Sequence, residues 1–213
     1  MIGWKGAAGG EGDYDQSAAN ANDHPDYDGK IHKRPLLTPA DYNSRAEREG
    51  WGARVHPDLT FVQPELRTLR DLWFEIQERK GAMPARTDFD AKTLKPFLPH
   101  IGIIDCISQE GRRSRYRVRL QGAELARLFG VQTGRFIDEY FPKQSLVRWE
   151  MGYDVAIDFG RPVRFTQKFV LPLLSHLDGE AFSAPLAAED KAARGLLTAL
   201  YVRPKAGVIA ETA

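Results

Sequence analysis

The chain has 213 residues, of which 42% are hydrophobic and 28% charged, and its formal net charge at pH 7 is +1. This length accommodates one ordinary domain with extensions. A net charge so close to zero gives no overall attraction to nucleic acid or to an anionic membrane. Cys106 is the one cysteine of the sequence, so no disulfide can form within the chain, which favours a reducing compartment.

The distribution of apolar residues argues against membrane insertion and secretion. No apolar run approaches the roughly 20 residues that a membrane helix needs. Lys5 is not followed by the apolar segment of a secretory signal. We therefore expect a cytoplasmic protein that has no membrane partner.

Residues 1–60 differ in composition from the rest of the chain. They are rich in Gly, Ala, Asp and Asn, and they contain seven Lys or Arg against ten Asp or Glu. Their apolar residues show no sustained period, and such a composition does not offset the entropy of ordering a chain. The sequence therefore predicts a disordered tail over 1–60, a domain over 61–204 and a short C-terminal tail over 205–213.

The clearest helix is predicted between Pro64 and Lys80, because Pro favours the first helical position and Gly81 favours the end of a helix. An apolar stripe runs along this helix and consists of Leu66, Leu69, Trp73 and Ile76. Its spacing suits a helix that covers its own sheet, and it also suits the seam of a homodimer. Both interpretations stay open on the sequence alone.

A strict alternation marks one strand of the predicted domain. The residues of its two sides are Tyr116, Val118 and Leu120 on one and Arg115, Arg117 and Arg119 on the other. A period of two predicts a strand with one buried face. The apolar run over 101–107 pairs with it as an antiparallel hairpin. Later patterns predict a helix that ends near residue 159 and strands over 162–170, 182–188 and 196–202.

Four blocks of sequence follow one another in this region. They read Met-Pro-Ala-Arg-Thr-Asp-Phe-Asp from residue 83, Leu-Pro-His-Ile from residue 98, Tyr-Arg-Val-Arg-Leu-Gln-Gly from residue 116 and Phe-Gly-Val-Gln-Thr-Gly-Arg from residue 129. Together they resemble a small bacterial PAS-type family, whose members carry P-x-R-x-D-F/I-D, L-P-x-I/V, Y-R-x-R-L-x-G and F-G-x-x-x-T-G-R. The resemblance covers roughly Leu66 to Arg203.

The resemblance implies an α+β, PAS-like fold with about five antiparallel strands, helices on one face and a preceding amphipathic helix. It also implies a sensory or regulatory domain that acts in signalling by binding a small ligand or a protein partner, without catalysis of its own. PAS-type domains differ widely in what they bind, so the resemblance names no ligand.

The motif residues that the resemblance marks are Arg86, Asp88, Arg119, Gly122, Gly130 and Gly134. Structural roles are expected for all of them. Arg119 is expected to form a salt bridge with Asp88 or Asp90, and Arg86 to form an ion pair beside Asp88. The three glycines are expected to permit a positive φ.

The arginine row from Arg112 to Arg119 is the strongest charge feature, with arginines at 112, 113, 115, 117 and 119. It could bind a phosphate, an acidic ligand or an acidic partner. It could also be the solvent face of an edge strand, where cationic side chains discourage pairing between strand edges. Binding of nucleic acid is not favoured, because the domain lacks interleaved aromatic residues and a clearly basic charge.

The spacing of four aromatic residues predicts a candidate ligand pocket. Two are at helical spacing and two at strand spacing: Trp149, Tyr153, Phe165 and Phe169. The alternative is that they are ordinary core. A rival function is a small α+β enzyme with a cavity active site, which needs a buried polar group such as Asp105 or Glu150. We find no phosphate-binding loop, metalloprotease motif or nucleophile elbow, and no His or Cys spacing that suits zinc. No catalytic or metal site is therefore predicted.

No flavin and no haem are expected as cofactors. The cysteine motif of flavin-binding photoreceptor PAS domains is missing, since Cys106 lies in the first strand of the predicted hairpin. A haem-ligating histidine would be expected on the helix before the third strand, and none occurs between Gln144 and Gly160. The expected partner is a small molecule or a signalling protein.

Overall fold

Six antiparallel strands form one sheet in the computed structural model, which describes residues 35–109, 112–169, 177–190 and 193–205. The strands are β1 Ala53–His56, β2 Ile101–Gln109, β3 Arg112–Gln121, β4 Val163–Lys168, β5 Leu177–Asp190 and β6 Ala193–Pro204. The helices are α1 Pro39–Arg48, α2 Pro64–Lys80, α3 Ala91–Leu94, α4 Ala123–Phe129 and α5 Lys143–Asp158. In space the strands follow the order β1-β4-β5-β6-β2-β3, so β1 and β3 are the edges.

Helices cover both faces of the sheet, and not one face as the sequence suggested. On the first face, α2 and α3 pack against β2, β5 and β6, with Phe182 at the centre of this cluster. On the second face, α1 and α5 pack against β2, β3 and β6 through residues such as Tyr42 and Val155. Successive residues of one strand contribute to opposite faces of the sheet. In β6, Leu196 packs in the cluster with α1 and α5, and Leu197 packs in the cluster with α2 and α3.

Helix α2 begins at Pro64 and ends before Gly81, whose φ of +66° gives the left-handed cap that the sequence predicted. All four residues of its stripe are buried within the chain's own core: Leu66, Leu69, Trp73 and Ile76. The interpretation of this stripe as a homodimer seam is therefore wrong, because side chains covered by their own sheet cannot also face a partner. Homodimerisation through another surface stays a prediction.

The predicted tail over 1–60 is wrong where the structure describes it. Thr38 and Asp41 form a capping box that starts α1, with Thr38 Oγ1 accepting the Asp41 N–H at 3.3 Å. The amide side chain of Asn43 then bonds both backbone groups of Val55 at 2.8 Å. Strand β1 pairs with β4 and is the sixth strand of the sheet. Residues 1–34 and 206–213 lie outside the described residues.

A β-bulge lies in β3 at Arg119. Leu120 is opposite Ile103 and Val118 is opposite Ile104, so Arg119 is the extra residue. Val118 consequently packs with the α5 face, whereas Leu120 packs with the α2 face. The predicted single buried side for both residues is therefore wrong for Leu120, because the bulge shifts the alternation.

Candidate functional site

A cavity of about 110 Å³ lies between α5 and the sheet. Its walls are mostly apolar and come from all six strands of the sheet and from α1, α4 and α5. An apolar cavity of about 150 Å³ holds one benzene ring, so the space here suits a compact ligand. It lies on the α1 and α5 face of the sheet, beside the second core cluster.

The aromatic wall is built by side chains that α5 places on one surface. Trp149, Gly152 and Tyr153 are three and four positions apart and therefore share one side of the helix. Phe141 stacks on Trp149, with ring centroids 4.9 Å apart and an angle of 8° between the planes. Gly152 adds no side chain, and this leaves open space in front of Phe165.

Three of the four predicted pocket residues line this cavity: Trp149, Tyr153 and Phe165. Phe169 does not, because β4 ends at Lys168 and the strand alternation stops before it. The ring of Phe169 instead packs with Leu125 and Leu200 in a third small cluster. Whether the other three contact a ligand stays a prediction.

Three tyrosine hydroxyls, of Tyr42, Tyr140 and Tyr153, belong to residues that line the cavity. In the described part of the chain, none of these hydroxyls has a hydrogen-bond partner. Burial raises the pKa of Tyr42 to about 12 and that of Tyr140 to about 12. Burial also raises the pKa of Tyr153, with a smaller contribution from Tyr140. All three are therefore neutral phenols at physiological pH, and each can donate a hydrogen bond.

Arg148 brings a positive charge to the cavity wall. Its Nη1 donates to the backbone oxygen of Trp51 at 3.2 Å, and its guanidinium lies 5.6 Å from the ring of Trp149. No carboxylate pairs with Arg148 among the described residues. Burial lowers the pKa of Arg148, and the nearby Tyr42 offsets part of this effect. Arginine nevertheless stays protonated at neutral pH.

Two residues of the cavity wall, Arg148 and Tyr42, were not predicted from the sequence. Arg148 precedes Trp149 on α5, where a single charge next to an apolar stripe usually points to solvent. Tyr42 lies in the segment that was assigned to the tail. The available signal was the Thr38–Asp41 capping pair just before it.

Behind the cavity wall, α5 is fastened to β3 by a buried polar pair. The hydroxyl of Tyr116 donates a hydrogen bond to the carboxylate of Asp154, which is 2% exposed. The ring of Tyr153 packs on that of Tyr116, with centroids 5.1 Å apart. One helix therefore carries both the cavity wall and a direct link to the edge strand.

Neither polar residue of the rival enzyme model lines the cavity. Asp105 turns away from it, and its carboxylate accepts Nε of Arg119 at 2.6 Å and Nη2 of Arg117 at 2.9 Å. Glu150 is likewise absent from the lining. The predicted partner of Arg119 is therefore wrong: it pairs with Asp105 across the hairpin, and not with Asp88 or Asp90.

Other motif residues serve local structure. Asp88 accepts the backbone N–H of Ala85 at 2.7 Å and pairs with Lys80, which joins the connector to the end of α2. This connector includes Arg86, at the start of a 3-10 turn. Asp90 caps α3 by accepting the backbone N–H of Lys92.

Two of the three motif glycines adopt a positive φ, as predicted: +76° at Gly130 and +88° at Gly134. The N–H of Gly134 reaches the carbonyl of Val118 at 2.7 Å, so this segment runs along the outer edge of β3. Gly122 has a φ of −70°, and the prediction is wrong there. A Cβ at Gly122 would come within 2.1 Å of the carbonyl oxygen of Leu98, so close backbone approach is what requires glycine.

The arginine row is held by carboxylates where the structure describes its side chains. Arg115 forms two hydrogen bonds to Asp138, at 2.8 and 2.7 Å, and lies 3.8 Å over the ring of Phe136. Its neighbours at 117 and 119 share Asp105, as above. The side chains of Arg112 and Arg113 lie outside the described part.

Possible cofactor ligands are absent from the described cavity wall, which contains no His and no Cys. Burial raises the pKa of the Cys106 thiol, which is enclosed in β2. No group of three or more metal-ligating side chains occurs within the described ranges. The absence of flavin and haem stays a prediction.

A comparison with protein families finds that the family described as "PAS domain" matches residues 62–201 of the chain. The chain belongs to the PAS domain family. The match covers α2 through most of β6, whereas α1 and β1 precede it. A search of curated proteins finds no match. Membership of the PAS family suggests a sensory or regulatory role. Among the described helices of this PAS domain, none is both long and apolar enough to cross a membrane.

Proposed function

We propose that this PAS domain is a sensory domain that binds a small, largely apolar ligand in the cavity between α5 and the sheet, without catalysing a reaction. The observation that carries the proposal is the cavity itself, with its aromatic wall and few polar groups. Small-molecule sites in proteins combine mostly apolar walls with a few polar groups that orient the ligand.

The arrangement of α5 supports a route from ligand to surface. Trp149 and Tyr153 touch the cavity, while Asp154 on the same helix is bonded to Tyr116 of β3. A ligand that moves α5 would therefore also move the edge strand. Because the segment 134–136 runs along the outer edge of β3, this movement would also shift that segment, whose residues Gly134 and Arg135 are exposed to a protein partner.

A nucleic-acid interface on β3 has less support. Arg115, Arg117 and Arg119 are engaged by Asp138 and Asp105. Phosphate groups would have to compete with carboxylates that are already in place.

Calorimetric titration with benzamide and toluene, at concentrations up to about 1 mM, tests the proposal. The variant Gly152→Leu places a side chain in the cavity, whereas Gly152→Ala is the matched control. A methyl group at Gly152 would lie 3.5 Å from the ring of Phe165, which is an ordinary contact.

We expect the wild type and Gly152→Ala to bind at least one probe and Gly152→Leu to lose it. Circular dichroism checks that each variant is folded, and Ala181→Val is a second way to reduce the same cavity. Equal binding by the filled variants would show that the probe lies elsewhere, and no binding by the wild type would contradict the proposal.

A further inference from the structure

We propose that the ligand of this cavity is a small organic acid, whose single carboxylate is bound by Arg148 and the hydroxyl of Tyr42 and whose apolar body lies against Trp149 and Phe165. This inference rests on the proposed function, and it specifies the chemical class of the ligand.

The first step is the charge of the cavity wall. Its described lining contains Arg148 but no Asp and no Glu. Other partly buried arginines are paired: Arg164 with Glu180, Arg117 with Asp105 and Arg115 with Asp138. A cation in an apolar, partly enclosed site is costly unless an anion compensates it. An anionic ligand would therefore neutralise the positive charge that Arg148 brings to the wall.

The second step is the hydrogen bonding beside that charge. Tyr42 is 2% exposed and lines the same cavity as Arg148. Its hydroxyl has no hydrogen-bond partner in the part of the chain that the structure describes. A guanidinium and a phenol both donate, and a carboxylate accepts from several donors at once. The two groups together suit a carboxylate better than a neutral carbonyl.

The third step limits the rest of the ligand. No lysine and no second arginine line the cavity within the described residues, so a second anionic group would be unpaired. The polar residues Ser183 and Thr198 of the sheet bond each other at 3.1 Å. The volume of about 110 Å³ holds roughly one ring. A monocarboxylate with one aromatic or branched apolar group fits these limits.

Titration with benzoate and benzamide tests this inference, because the two probes share a ring and differ in charge. We expect the wild type to bind benzoate about 10- to 100-fold more tightly, the range that a charge-assisted hydrogen bond supports. Arg148→Gln should lose this preference. Arg127→Gln is the control, since Arg127 is an exposed arginine on α4 that pairs with Glu124. It should retain the preference, and Tyr42→Phe should lose only part of it.

The melting temperature of the empty protein distinguishes binding from folding. Removing an uncompensated charge should leave the melting temperature of Arg148→Gln equal to or above that of the wild type. Arg148→Lys keeps the positive charge and should keep part of the preference for benzoate, and it serves as the second variant if Arg148→Gln does not fold.

Three other outcomes of these titrations would contradict the inference, the role of Arg148 or the proposed function. Equal affinity for benzamide and benzoate would contradict the inference that the ligand is an acid, but it would leave the proposed function of the cavity intact. A preference for benzoate that survives in Arg148→Gln overturns the role of Arg148. If no probe of either kind binds to the wild type, both the inference and the proposed function fail.

Discussion

The indole N–H of Trp73 on α2 donates a hydrogen bond to the carbonyl oxygen of Pro185 on β5 at 3.2 Å, and Trp73 has no exposed surface. Helix α2 is thus joined to the sheet by a directed bond as well as by packing. A helix fastened in this way belongs to the core of the domain.

Trp73→Ala should lower the free energy of unfolding by about 3–5 kcal/mol, the usual cost of truncating a buried aromatic residue. Trp73→Phe retains a ring but loses the bond to Pro185, and it should cost less. Urea denaturation measures both. Glu75→Ala, on the exposed side of α2, is the control and should stay within about 0.5 kcal/mol of the wild type. If Trp73→Ala matched that control, α2 would not be part of the core.

Glu180 should make the free energy of unfolding decrease at acidic pH. It accepts the backbone N–H groups of Val62 and Gln63 just before α2 and the guanidinium of Arg164 at 2.6 Å. Burial by itself raises the pKa of Glu180, but these hydrogen bonds outweigh burial and hold the pKa below its ordinary value of 4.5. Because the folded value is the lower one, the stabilisation is complete above pH 4.5 and is lost as pH falls through the folded pKa.

Glu180→Gln should therefore lose about 1–3 kcal/mol of stability at pH 7 and lose less as the pH falls below 4.5. Urea denaturation at a series of pH values measures the difference. Glu78→Gln, which changes an exposed residue of α2, is the matched control. A difference between wild type and Glu180→Gln that is constant with pH would contradict this role.

Asp105 should contribute more to stability than Asp138, although each holds arginines of β3. The side chain of Asp105 is 6% exposed and accepts from two guanidinium groups, whereas that of Asp138 is 34% exposed and pairs with Arg115. Asp105→Ala should cost about 1–3 kcal/mol, and Asp138→Ala less than about 1 kcal/mol.

The same comparison applies to the arginines. Arg119→Ala should destabilise the fold more than Arg115→Ala, because it removes a partner of the buried Asp105. Arg115 is held at the surface by Asp138, and salt screens such exposed pairs. Thermal denaturation at low and high salt measures both variants. Identical shifts for the two would remove the distinction between the buried and the exposed pair.

Asn43 should be essential for attaching β1. Its amide side chain satisfies the N–H and C=O of Val55 at 2.8 Å each, as a neighbouring strand would. Asn43→Ala should cost about 1–3 kcal/mol, because backbone groups of a partly buried strand lose their partners. Ser44→Ala, next to it on the exposed side of α1, should have little effect. Limited proteolysis is the second measurement: cleavage within 39–56 should be slow in the wild type and faster in Asn43→Ala.

The sequence predicts elements whose signals are local. Helix α2 was predicted with its bounds because Pro64 and Gly81 flank a regular apolar stripe, and the β2–β3 hairpin was predicted from an apolar run followed by an alternating one. Helix α1 was missed because it buries only Pro39, Tyr42 and Ala46, too few residues to show a period. Strand β1 has four residues and becomes regular only through pairing with β4.

The cavity was predicted in part for a similar reason. Trp149 and Tyr153 were identified because helical spacing puts them on one side of α5. Arg148 could not be, because a charge that faces inward is identified only by what surrounds it in three dimensions. Arg119 was paired with the wrong carboxylate because the hairpin register, which brings Asp105 beside it, is a long-range property.

If the proposed acid binds, the donors of Arg148 and Tyr42 that lack an anionic acceptor would affect the lifetime of the protein in the cell. A ligand that supplies the acceptor binds the folded chain and not the unfolded one, so it increases the folded population as its concentration rises above its dissociation constant. Proteases degrade the opened chain, and a change of 1–2 kcal/mol in stability alters cellular abundance several-fold. The amount of this PAS domain, and not only its conformation, would then follow the supply of its ligand.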